Sequence, residues 1–240
     1  MAPSADLGAP VLTGIRRLSA LDTVRARIAL AVDLGLLAPG ERLPPNAEIA
    51  HALGVGDITV RRALESLCEN GILERRRGRG GGTLVAGRPP VGKVREIAAY
   101  REAADEVREL IDHRLVLECG LTHLAARGHA TEQLPRLRAL VERMAAAADW
   151  AEFHELDTEF HLTVAVAGGP PAAVKQYESV LRELHRYYLP YPMAQLRESN
   201  VQHGHLVDAL AEGDAPRATD LAREHVQVLH HTMFVGLPGA

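Results

Sequence analysis

Gly87 to Gly92, "GRPPVG", divides the chain into two parts with different patterns. Two glycines and two prolines in six residues break any regular element, so the stretch reads as a linker. Ahead of it lie three segments of helical period and then two short β-like runs. Leu21 to Leu36 is expected as a helix with Val24, Ile28, Ala31 and Val32 on one face. A second helix follows Pro44-Pro45, with Asn46 placed as its N-cap, and stops at Gly54. A third runs from Asp57 to about Asn70, its apolar set being Val60, Ala63, Leu64 and Leu67 at helical spacing. The β-like runs are Ile72 to Arg75 and Thr83 to Val85. Behind the linker every segment has helical period. Helices are expected at about 94–128, with one break allowed, then 131–147, 150–168, 171–189, 194–212 and 215–235. Gly128, Asp149, Gly168 to Pro171, Pro190 to Pro192 and Gly213-Asp214 punctuate them.

Helix, short turn, helix and two-stranded ribbon is the order of a winged helix-turn-helix. The expected fold is therefore mainly α: a winged helix-turn-helix over 20–87, a linker over 88–103 and an all-α helical bundle over 104–235. Residues 1–19 lack a charged start followed by an apolar stretch, so they read as a disordered leader rather than a signal peptide. No apolar run is long enough to cross a membrane. Cys68 and Cys119, the only two cysteines, fall in expected helices, which argues against a disulfide framework or a thiolate cluster. A cytoplasmic protein is expected.

Charge separates the same two parts. Residues 1–91 hold 12 arginines, no lysine and 9 acidic residues, while the remainder holds 15 basic and 22 acidic residues. A basic module that meets an anion is joined to an acidic one. The sharpest basic feature is "RRRGRGGG", Arg75 to Gly82, between the two β-like runs. Glycines permit a tight hairpin tip and close approach to a backbone, and arginine grips phosphate oxygens as a fork. A nucleotide P-loop would need Lys followed by Ser or Thr opening a helix, whereas Thr83-Leu84-Val85 is a strand. Arg75, Arg76, Arg77, Arg79 and Gly80 are therefore read as contacts to the backbone of double-stranded DNA.

Residues 20–87 resemble the DNA-binding domain of the GntR transcription regulators. The likeness rests on Gly35, Leu36, Pro39, Gly40, Leu43 and Pro44 before the second helix, and on Val60, Arg61, Ala63 and Leu64 in the third. It implies that Arg61 contacts a base or the backbone, with Thr59 and Arg62 beside it. The chain departs from the family at Ala47, where Arg is usual, and at Gly56 and Asp57, where Ser or Thr and then Arg are usual. Asp57 suits the helix dipole and can accept a hydrogen bond from a cytosine amino group.

In the second part, Asp157 and His161 stand at i and i+4, on one face of a helix. His203 lies ten residues before the Gly213-Asp214 turn and His225 twelve residues after Gly213. At about 1.5 Å per residue the two reach nearly the same height in an antiparallel helix pair. Three imidazoles and one carboxylate suit a divalent transition metal, Zn first and Ni or Mn as alternatives. The same marks, with Ala209-Leu210, Arg114, Glu118 and Ala125-Ala126, resemble the all-helical FCD ligand-binding domain of the FadR branch of GntR regulators. In place of the Asn usual in that family after the Asp-x-x-x-His helix, the chain has Gly168-Gly169-Pro170-Pro171.

Arg114 is a candidate for an effector carboxylate, or half of a helix ion pair with Glu118 worth only a few tenths of a kcal/mol, about 0.2–0.5. His205 and His230-His231 are expected at the surface, His154 at the surface or behind the ligands, and Tyr187, Tyr188 and Tyr191 in the core first, with the cavity wall as the alternative. The reading is a DNA-binding transcription regulator, a homodimer and repressor, controlled by a small organic acid at a metal site. Two other readings stand beside it. One is a metal-dependent hydrolase, against which no His-Asp dipeptide occurs in the chain. The other is a sensor of the metal ion itself.

Overall fold

The computed structural model describes residues 19–78, 81–90, 92, 94, 97, 104–129 and 131–232. The leader over 1–18, Arg79, Gly80, most of the expected linker and residues 233–235 lie outside the described residues.

The N-terminal head begins with α1, Ala20–Asp33, opened by Ser19, whose Oγ accepts from the Asp22 amide at 3.2 Å. Helix α2, Asn46–Ala52, and α3, Asp57–Glu69, follow. Pro45 occupies the N-cap and Asn46 is the first helical residue, so Asn46 gives no side-chain cap. Helix α1 ends at Asp33 rather than Leu36, because the chain turns through Gly35 at φ 71°. Val24, Ile28, Ile49, Val60, Leu64 and Leu67 are buried together. The ribbon pairs β1, Leu73–Arg76, with β2, Gly82–Val85, antiparallel in the register Leu73↔Val85 and Arg76↔Gly82. The loop before α2 stiffens it: the Leu43 amide donates to Thr83 O and the Val85 amide to Glu41 O, each at 2.9 Å.

The bundle consists of α4, Ala104–Leu124, a π-helical turn, Ala125–His129, and α5, Leu134–Ala146. Then come α6, Trp150–Gly168, α7, Pro171–His185, α8, Met193–Glu212, α9, Ala215–Gln227, and the short α10, Leu229–Thr232. The last expected helix is thus two, with a break after Gln227. Asp149 caps α6 by accepting from the amides of Ala151 and Glu152 at 2.9 and 3.1 Å. The reversal between α8 and α9 uses Gly213 at φ 69°, and Asp214 accepts from the Arg217 amide at 3.1 Å.

Head and bundle share one apolar cluster, in which Trp150, Ala151 and Leu189 pack with the core of α1, α2 and α3. His51 Nδ1 of α2 lies 2.5 Å from Glu155 Oε1 of α6. Among the described residues no helix is long and apolar enough to cross a membrane.

The Gly168-Gly169 turn also packs tightly. A Cβ on Gly168 would stand 2.1 Å from Ala125 N and 2.5 Å from Leu124 C, both backbone atoms at the end of α4. Gly204, inside α8, has open space around its would-be Cβ. Gly168→Ala is expected to destabilise the protein by ~2 kcal/mol or more through overpacking. Gly204→Ala is expected to stabilise it by ~0.5–1 kcal/mol through helix propensity. Urea unfolding of the two variants checks both signs.

Candidate metal centre and DNA-binding face

Three helices bring the four candidate ligands together. Asp157 and His161 come from consecutive turns of α6, His203 from α8 and His225 from α9. Their ligand atoms all lie within 4.8 Å of one another. His203 Nε2 is 3.4 Å from His225 Nε2 and 3.5 Å from Asp157 Oδ1, and His161 Nε2 is 3.7 Å from the same carboxylate oxygen. Two nitrogens each ~2.1 Å from one ion at a tetrahedral angle stand ~3.4 Å apart, so the donor set fits a first-row divalent cation.

Each imidazole is turned by a partner on its other nitrogen. Glu118 Oε1 is 2.9 Å from His161 Nδ1, Asn200 Oδ1 is 3.3 Å from His203 Nδ1, and Gln202 Oε1 is 3.0 Å from His225 Nδ1. Three acceptors thus favour a proton on Nδ1 of each ring and leave Nε2 facing the shared point. Neither Asn200, at i−3 from His203, nor Gln202, 23 residues from His225, stands out in the sequence. Glu118 does, but as the helical partner of Arg114.

Arg114 forms the ion pair with Glu118 that its spacing allowed. Its Nε donates to Glu118 Oε2 at 2.7 Å, and both side chains are almost fully buried, so the value of an exposed helix pair does not apply. Its other nitrogens reach the Tyr188 hydroxyl and His161 Nε2, the latter at 3.2 Å. Tyr177 donates to Glu118 Oε2 at 2.7 Å. Burial opposes charge on Glu118, but Arg114 and His161 outweigh it and hold the carboxyl well below its usual range. Burial likewise opposes a proton on His161, yet Glu118 and Asp157 lift that ring to about 9. Burial and the positive charge of His161 push His225 down to about 4. Burial and His225 lower His203 well below the usual imidazole value.

Asp157 and His225 face a cavity of about 330 Å³, lined also by Arg114, Trp150, His154 and Tyr188. The ligand set is therefore open on one side. His154 is a wall of this cavity rather than a surface residue; burial first, then Arg27 and Arg114, lowers its pKa to about 4. Tyr188 and Tyr191 line the cavity too, the second of the two places expected for them. His205 is exposed, as expected. His230 Nε2 lies 2.9 Å from Asp112 Oδ1, so it is engaged rather than freely solvated.

On the head, Asp57, Arg61 and Arg62 are exposed along α3, and Thr59 is half-buried. Ile58 is 66% exposed between Asp57 and Thr59, a large apolar side chain outside the buried set of the helix. Arg75, Arg76 and Arg77 are exposed on the ribbon. Arg75 lies 3.6 Å from Glu65 and Arg76 2.6 Å from Glu74, so two wing cations have carboxylate neighbours in this state.

The profile of the bacterial regulatory proteins of the gntR family matches residues 20–85, and that of the FCD domain matches residues 109–228. The chain belongs to the GntR family of DNA-binding transcription regulators. A relative from Mycobacterium gastri, named as the HTH-type transcriptional regulator RmpR, is 29% identical over 235 residues, 95% of this chain and 85% of the relative. An Escherichia coli K12 relative, named for regulation of an L-lactate dehydrogenase operon, is 28% identical over 233 residues, 91% and 87% of the two chains. A solved structure titled E. coli McbR/YncC aligns with 91% of this chain and 98% of that chain at 23% identity, with a TM-score of 0.47.

Because His161 is held at about 9, the metal-free protein carries a proton there at neutral pH, which a cation must displace. His203 and His225, with lowered values, are already neutral. Metal uptake at pH 7.5 is therefore expected to release about one proton from this site, with apparent affinity rising with pH until about 9. Calorimetry in buffers of different ionisation enthalpy reads the proton count. Glu118→Gln is expected to cut metal affinity by ~10–100-fold, since it removes the group that orients and polarises His161; competition with a fluorescent chelator measures it.

Proposed function

We propose that the chain is a cytoplasmic, homodimeric repressor whose operator binding is controlled by a small carboxylate held at a divalent transition metal, Zn first and Ni or Mn next. Asp157, His161, His203 and His225 are its ligands. The observation that carries this reading is the convergence of those four side chains, two of which, Asp157 and His225, line a cavity that Arg114 also lines. A metal bound there supplies a Lewis-acidic charge for an oxygen donor. Arg114, fixed by Glu118 and Tyr188, offers N–H groups on the cavity side of the ligand set. The relative named for an L-lactate dehydrogenase operon supports an organic acid as the effector class.

At the head, α3 enters the major groove with Asp57, Thr59, Arg61 and Arg62 toward the bases and backbone. We add Ile58 to that set: its exposure suits contact with a thymine methyl, the one apolar feature of the groove edge. Arg75, Arg76, Arg77, Arg79 and Gly80 grip the flanking phosphates, with the carboxylate partners of Arg75 and Arg76 exchanged for phosphate. Two such heads in a two-fold dimer read two half-sites. The domain division, with the head over 20–87, the linker over 88–103 and the bundle over 104–235, assigns these two tasks to separate parts of the chain. An effector shifts operator affinity only through different affinities for two arrangements of the heads.

A thermal-shift screen of small acids tests the reading. On the metal-loaded protein an acid at a hundredfold excess over its Kd is expected to raise Tm by ~5 °C or more. The shift should vanish with chelator and in the His203→Ala/His225→Ala variant. A shift that persists in the variant places the effector elsewhere. Operator binding that responds to metal with no acid present makes the chain a metal sensor instead.

A further inference from the structure

The cavity beside the ligand set is not closed by the bundle alone. Arg27 from α1 and Leu53, which follows α2, form part of its wall, so the DNA-binding head contributes directly to a site whose other residues belong to the bundle. Arg27 is a charged side chain only 2% exposed, in the helix that opens the head. Its Nε donates to the backbone carbonyl of Tyr188. The hydroxyl of that same tyrosine accepts from Arg114. One tyrosine residue thus separates two guanidinium groups that line one cavity, one from the head and one from the bundle. Trp150, 6% exposed, lines the same space, and its buried indole N–H has no acceptor among the described residues.

We propose that Arg27 is an effector-binding residue supplied by the DNA-binding head, and that the cavity takes a small diacid with one carboxylate toward Arg114 and the ligand set and the other on Arg27. The proposal rests on the reading of the cavity as the effector site and narrows its ligand class. Two cationic groups lining a space of about 330 Å³, one held by the carbonyl and the other by the hydroxyl of Tyr188, with an indole donor in the same lining, match a short molecule with two acidic ends. A monoacid reaches only one of the two guanidinium groups with its charge. Leu53, also at the wall, gives the chain between the two acidic ends an apolar contact.

This arrangement gives the head an energetic stake in the ligand. A diacid that bridges Arg27 and the bundle binds best when α1 is docked as it is here. A head that moves away takes one of the ligand's partners with it. That is the differential affinity by which a small molecule favours one placement of a DNA-binding head over another.

Trp150 is the only tryptophan of the chain, so its fluorescence reports on this cavity without a label. The test titrates the full-length, Zn-loaded protein with matched pairs: succinate and butyrate, glutarate and pentanoate, adipate and hexanoate. In the wild type at least one diacid is expected to bind tenfold or more tightly than its monoacid partner. Arg27→Gln is expected to lower that diacid's affinity at least tenfold and leave the monoacid within twofold, with the fold checked by circular dichroism. Should Arg27→Gln fail to fold, Arg27→Lys carries the test: it keeps the buried charge but loses the fork, and the diacid-to-monoacid ratio is expected to fall at least threefold. An unchanged ratio in the folded variant, or no diacid preference in the wild type, overturns the proposal. Acids that bind equally well, and only with metal present, overturn it while leaving the effector reading intact. If no acid of either kind binds the loaded protein, both fall.

Discussion

Glu118 is the interaction on which the candidate site depends. An ionised carboxylate buried in a helical bundle is costly unless several partners answer it. Here three helices do so: Arg114 from its own helix α4, His161 from α6 and Tyr177 from α7. Each of those partners is fixed in return. Arg114 is held so that its remaining nitrogens reach Tyr188 and His161. His161 is turned so that Nε2, not Nδ1, faces Asp157 and the other two imidazoles. A bundle that packed its apolar faces equally well without this carboxylate would leave the ligands free to point in several directions.

From that anchor the structure runs continuously toward the head. Arg114 holds the hydroxyl of Tyr188, and Arg27 of α1 holds its carbonyl. The apolar cluster that includes Trp150 and Leu189 extends into the core of α1, α2 and α3. Head and bundle are thus physically connected. The connection is short: one half-buried tyrosine and a shared hydrophobic core.

Much of this was legible in the sequence, and the reasons are specific. The helices with strong stop signals came out nearly in full: 150–168 matches α6 because Asp149 caps it and Gly168-Gly169 ends it. The heights of His203 and His225 followed from the Gly213-Asp214 reversal, a turn that fixes register. What failed did so where local signals mislead. Asn46 looked like a cap, but Pro45 takes that position; the break after Gln227 carries no Gly or Pro. Glu118 was visible only as the partner of Arg114, because its contact with His161 spans 43 positions and depends on how α4 lies against α6. Nothing in the spacing of α1 tells that one of its arginines, Arg27, turns inward to the bundle. The spacing of α3 likewise gives no sign that Ile58 stands exposed outside its apolar set.

The central claim is that three imidazoles and one carboxylate from three helices hold one cation. X-ray absorption at the edge of the bound metal, on protein loaded with one equivalent of Zn, tests it most directly. The account predicts a first shell of nitrogen and oxygen at ~2.0–2.1 Å with the outer-shell scattering of three imidazole rings. A shell of oxygens alone, without imidazole scattering, would mean that the ion sits on surface carboxylates and that the convergence of these side chains serves packing rather than binding.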